Sequence, residues 1–106
     1  MKNFLILSLL ISSISLANES IGIGKNQKYG YEIKLKVEKE ANGNIKNIEV
    51  LENNTKKSIS EKAIPKLIEQ AKMKSSGDID IVSGATYTSD VFIKALNNAL
   101  NTEMKN

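Results

Sequence analysis

Tyr31-Glu32-Ile33-Lys34-Leu35-Lys36-Val37-Glu38, followed by Ala41-Asn42-Gly43-Asn44, is the stretch whose reading decides the fold. Tyr31, Ile33, Leu35 and Val37 fall on one side of an extended chain and Glu32, Lys34, Lys36 and Glu38 on the other, the pattern of a strand with one buried and one wet face. Asn42-Gly43 supplies the positive-φ residues that a tight hairpin needs, so a second strand is predicted to return through Ile45, Ile48 and Val50. The apolar parity changes between Ile45 and Ile48, which puts either Ile45 in the turn or a bulge near Asn47. A lone hairpin is marginal in water, so the remaining chain has to cover it.

Downstream, the polar, aperiodic stretch from 51 to 60 reads as a loop. A helix is predicted to start between residues 60 and 63 and to run to about 73, with Ile64, Leu67, Ile68 and Ala71 on one face. Pro65 is tolerated only in a first turn, so either the regular helix starts close to Ile64 or an irregular turn precedes it. Ser75-Ser76-Gly77 ends it. Ile79 and Ile81 then alternate with Asp80 and Val82 as a brief third strand. A last helix, from about 89 to 104, carries Val91, Phe92, Ala95, Leu96, Ala99 and Leu100 on an apolar stripe. The expectation is a small single α+β domain: an antiparallel hairpin plus a third short strand, packed with two helices. Upstream, Ile21-Gly22-Ile23-Gly24 reads as a flexible entry turn. It is not a dinucleotide fingerprint, because position 27 is Gln and no strand precedes the glycines.

Between the predicted third strand and the last helix lies Asp80-Ile81-Val82-Ser83-Gly84-Ala85-Thr86-Tyr87-Thr88-Ser89, rich in hydroxyls. Gly84 and Ala85 let a ligand press against the backbone. Thr88 or Ser89 is predicted to cap the following helix, so that its free N–H groups and dipole favour an anion such as phosphate.

This string resembles the flavinylation motif of the FMN-binding domain family: an acidic residue, two spacers, Ser or Thr, then Gly-Ala-Thr. The family includes the C subunit of the sodium-translocating NADH:quinone reductase and the G subunit of the Rnf complex. The resemblance implies that Thr86 is esterified to the 5′-phosphate of FMN by a separate flavin transferase that uses FAD and a divalent cation. It further implies that Ser83, with the backbone of Gly84 and Ala85, orients the phosphate, with Thr88 and Ser89 as further hydroxyl donors or caps. Asp80 would serve recognition or metal bridging during transfer, and Tyr87 would either lie against the isoalloxazine or anchor the core. The Glu52-Asn53-Asn54-Thr55-Lys56 loop stands where family members carry a stretch close to Glu-Thr-Pro-Gly. The implied activity is that of an electron carrier which exchanges electrons with a redox donor or acceptor protein, such as a membrane complex.

Composition narrows the alternatives. The chain has 106 residues and no Cys, His or Trp, and arginine is also absent. That excludes disulfides, a His-based triad, a Cys nucleophile and a zinc site of the usual N/S type. An aliphatic hydroxyl is a poor nucleophile unaided, so any base that activates Thr86 must come from the transferase; no catalytic residue and no metal ligand is assigned to this chain. The net charge of +3 is small and dispersed and does not argue for nucleic acid. Lys2, the apolar run from Phe4 to Ile14 and Ser15-Leu16-Ala17 read as a signal peptide over 1–17, cut after Ala17 and too short for the ~20 residues of a membrane span. The mature domain is then 18–106, exported to the periplasm or to the cell surface in association with the membrane. Two other readings stay open: a module that holds FMN or another phosphate ligand reversibly, and a complete reductase with its own substrate pocket, for which so short a chain leaves little room.

Overall fold

The structure, a computed structural model, describes residues 18–104; the signal-peptide reading of 1–17 lies outside them. In chain order the elements are β1 (Asn18–Asn26), β2 (Tyr31–Lys39), β3 (Ile45–Asn53), α1 (Lys57–Lys74) and α2 (Thr86–Met104). The strands form one antiparallel sheet in the order β1-β2-β3. α2 lies across β1 and β2, and α1 packs beside α2 and β3. The domain is thus α+β, with three antiparallel strands and two helices as expected.

The β2–β3 hairpin follows the pattern of its sequence. Ile33, Leu35 and Val37 are buried under the helices, and Gly43, at φ 93°, closes the turn through its N–H to the Glu40 carbonyl. The parity change is resolved by a bulge. Lys39 pairs with Ile45 and Glu38 with Asn47, so Lys46 has no partner, and both Ile45 and Ile48 turn inward. A second irregularity skips Leu51, which points to solvent. The core is completed by Ala63, Leu67 and Ala71 of α1 and by Val91, Phe92, Ala95, Leu96 and Ala99 of α2, with Phe92 the largest fully buried side chain.

The third strand is not where the pattern put it. Residues 79–82 run as irregular chain, and the strand that completes the sheet is β1, which contains the supposed entry turn. β1 pairs with β2 along its whole length, from Asn18 opposite Lys39 to Asn26 opposite Tyr31. Its buried positions are Ser20, Gly22 and Gly24, while Ile21 and Ile23 face out. The alternation is inverted because α2 needs space and not side chains on that face. A Cβ at Gly22 would stand 2.0 Å from the Ala95 carbonyl oxygen, and one at Gly24 2.1 Å from that of Val91.

Both helices start earlier than predicted. α1 begins at Lys57, so Pro65 sits within the helix rather than in its first turn. It offers no N–H to the Glu61 carbonyl, a local loss outweighed by burial of Ala63, Ile64, Leu67 and Ala71 on one face. Ser75, in a left-handed conformation, ends α1, and its hydroxyl accepts from the Ile45 N–H. α2 begins at Thr86 and not near Ser89.

Candidate functional site

The chain between the helices is held by side chains instead of a strand partner. The Gln70 amide grips both backbone groups of Asp80, donating to its carbonyl at 3.1 Å and accepting from its N–H at 2.9 Å. Two residues on, the Val82 N–H donates to the Ser89 hydroxyl at 3.0 Å, and the Val82 carbonyl accepts from the Ala85 N–H at 2.9 Å. Gly84 makes this turn possible at φ 83°, a conformation that costs a side-chain-bearing residue about 1 kcal/mol or more.

The first intrahelical bond of α2 is from the Ser89 N–H to the Ala85 carbonyl. The N–H groups of Thr86, Tyr87 and Thr88 therefore have no intrahelical acceptor, and Ala85, the residue before them, has no side-chain oxygen with which to cap. Neither Thr88 nor Ser89 is the predicted N-cap. Both are buried inside the first turn, and Ser89 braces the turn from within. Ser83, Gly84, Thr86 and Tyr87 are exposed and Ala85 is buried. The Thr86 hydroxyl makes no hydrogen bond among the described residues.

Two clefts meet at Gly84 and Ala85. One, of about 60 Å³, includes Thr86, Tyr87 and Thr88 and is walled by Tyr31 and Lys56. The other, of about 240 Å³, includes Ser83 and is walled by Lys62 and Lys66 of α1. Asp80 is exposed and lines neither. Larger clefts of about 460 and 670 Å³ elsewhere contain none of residues 80–89. No group of three or more acidic side chains able to hold a metal ion occurs among the described residues.

All three tyrosines of the chain gather here. The ring of Tyr29 lies 5.6 Å from that of Tyr31 and 4.6 Å, edge to face, from that of Tyr87, and its hydroxyl reaches the Tyr87 hydroxyl at 3.5 Å. Tyr87, 44 % exposed, is thus part of a surface aromatic group and not a core anchor. The hydrogen bond to Tyr87, aided by desolvation, raises the Tyr29 pKa above the usual phenol value. A raised value means the neutral phenol is favoured. Its stabilising contribution is complete below the unfolded tyrosine pKa near about 10 and is lost as pH rises through the folded one. Tyr87→Phe is expected to lower the Tyr29 midpoint in a phenolate absorbance titration; an unmoved midpoint would mean that the contact does not form in solution.

Sequence reasoning missed Tyr29, Tyr31, Lys56, Lys62 and Lys66. The strand alternation marks Tyr31 as facing the helices, but only the three-dimensional arrangement sets the start of β2 beside the start of α2.

Comparison with known proteins gives one family: the model described as FMN-binding domain matches residues 29–101. The match spans the hairpin, α1, both clefts and most of α2, and leaves out β1. No curated protein matches the chain.

Proposed function

This chain belongs to the FMN-binding domain family, and on that premise we propose that it carries one FMN as a phosphoester of Thr86 and works outside the cytoplasm as an electron carrier. Flavin binding is the function that family membership itself supports. The observation that carries the finer reading is the position of Thr86: the exposed first residue of α2, its hydroxyl unbonded among the described residues, beside open N–H groups and lining the cleft walled by Tyr31 and Lys56.

The residues present fit the group. A phosphate on Thr86 would meet the N–H groups of the first turn and the positive end of the helix dipole, with Lys56 bordering the same cleft and the Ser83 hydroxyl within the turn. A Cβ at Gly84 would meet no atom within 4 Å, so the surface above the turn is open. Tyr31 and Tyr87 offer aromatic surface to the isoalloxazine. Ser89 contributes by holding the turn, Thr88 lines the same cleft as Thr86, and Asp80 remains available to the enzyme that loads the site. When bound, the flavin supplies electron-transfer chemistry that none of these side chains can.

Residues 1–17 act in this reading as an export signal. A flavin transferase that draws on FAD would load Thr86, and a donor or acceptor protein, free or in a membrane complex, would exchange electrons with the flavin. A covalent bond keeps the cofactor where dissociation would mean loss by dilution. The test is the intact mass of the denatured protein after co-expression with a flavin transferase in an exporting host. A chain starting at Asn18 and heavier by one FMN less water is expected. Unmodified mass, with flavin released on denaturation, would favour the reversible binder.

A further inference from the structure

Lys62 and Lys66 stand on successive turns of α1, where like charges at i and i+4 repel, and both line the cleft of about 240 Å³. Ser58 and Ser83 add hydroxyls to that cleft, and no carboxylate lines it. Lys36 and Lys94 reach Glu49 and Asp90, but Lys62 and Lys66 form no ion pair among the described residues. Two unpaired ammonium groups beside hydroxyl donors suit an anion that bridges them. The volume is below the roughly 300 Å³ at which ordinary small-molecule pockets begin, so the cleft suits a phosphoryl group with part of its sugar. A phosphate on Thr86 does not account for these lysines. It would lie in the adjoining cleft, which has its own cation in Lys56.

We propose that the Lys62/Lys66 cleft is a second phosphoryl subsite, occupied by the departing nucleotide phosphate while the flavin is transferred to Thr86. The assignment rests on the Thr86 reading. In the transfer, the Thr86 Oγ bonds to the flavin-side phosphorus of FAD and the bond from that phosphorus to the bridging oxygen breaks. AMP leaves with the electron pair of that bond, and the Thr86 proton passes to a base on the transferase; nothing is oxidised or reduced. The charge gained by the AMP phosphate develops beside Lys62 and Lys66. After AMP leaves, the attached flavin no longer depends on them.

Two measurements test the subsite. Without transferase, AMP and inorganic phosphate titrated into the ¹⁵N-labelled full chain are expected to shift the Ser83 and Gly84 amides saturably, whereas adenosine does not, and K62A/K66A removes the response. With transferase at saturating FAD and protein, the double variant is expected to gain flavin at least about tenfold more slowly, as for loss of transition-state charge stabilisation. Lys46→Ala should leave the rate unchanged, and the fluorescence of the attached flavin should match the wild type. The proposal is overturned by absent shifts, by equal shifts with adenosine, or by an unchanged rate. It is equally overturned if the slowing vanishes at saturating protein, which would make the lysines a docking surface for the transferase. A wild-type chain that gains no flavin would sink the Thr86 reading instead, a result the mass alone reveals.

Discussion

Thr86→Ala is expected to abolish covalently retained flavin completely while leaving the domain folded and its stability within about 0.5 kcal/mol of the wild type. The reasons are local. Thr86 is exposed, its hydroxyl bonds to nothing among the described residues, and alanine is a better helix former than threonine at the first residue of α2. Loss of flavin could not then be attributed to unfolding. Thr86→Ser keeps the nucleophilic oxygen and should still accept flavin. Intact mass reads the modification, and urea denaturation reads the fold. Retention of the mass increment in the alanine variant would move the attachment to another hydroxyl, with exposed Ser83, inside the turn itself, the next aliphatic candidate.

Gly22→Ala is expected to cost about 3 kcal/mol, at the upper end of ordinary overpacking, and the Gly22→Ala/Gly24→Ala double variant more. An added Cβ at Gly22 would meet the Ala95 oxygen at 2.0 Å, the Ala99 nitrogen at 2.5 Å and the Ala99 Cβ at 2.7 Å. These are atoms of a helix backbone that cannot rotate out of the way, so α2 would have to lift from β1. Helix N–H groups already bonded within the helix gain nothing from the displacement. A domain of this size has on the order of 5–10 kcal/mol in hand, so the double variant should be largely unfolded in modest urea. Gly43→Ala is the contrasting case. No atom lies within 4 Å of its Cβ position, and only its φ of 93° resists substitution, which costs about 1 kcal/mol. Equal, small shifts at Gly22 and Gly43 in urea titrations would show that α2 yields freely.

The hairpin and the two helices were legible because their buried faces consist of side chains: Ile33, Leu35 and Val37 at period two, Val91, Phe92, Ala95 and Leu96 at helical spacing. β1 was not, because its inward face is Ser20, Gly22 and Gly24 and carries almost no apolar signal. The alternation that looked like a strand, at residues 79–82, belongs to chain whose backbone groups are satisfied by Gln70 and Ser89, partners that pattern alone does not disclose. Pro65 misled in the same direction, since a first-turn preference yielded to burial of the face around it. At the site, the motif from Ser83 to Thr86 was readable as a contiguous string. The lysines of α1 and the tyrosines at the start of β2 were not, because their relevance depends on chain segments distant in sequence meeting at one turn.

The grip of Gln70 on Asp80 has a chemical consequence over time. It uses one side-chain amide as donor and acceptor at once, a combination that a carboxylate cannot reproduce. Spontaneous hydrolysis of that amide to Glu would set an anionic oxygen against the Asp80 carbonyl, trading an attraction for a repulsion without changing the size of the side chain. Slow deamidation at this single position would loosen the segment leading into Thr86 as the protein ages.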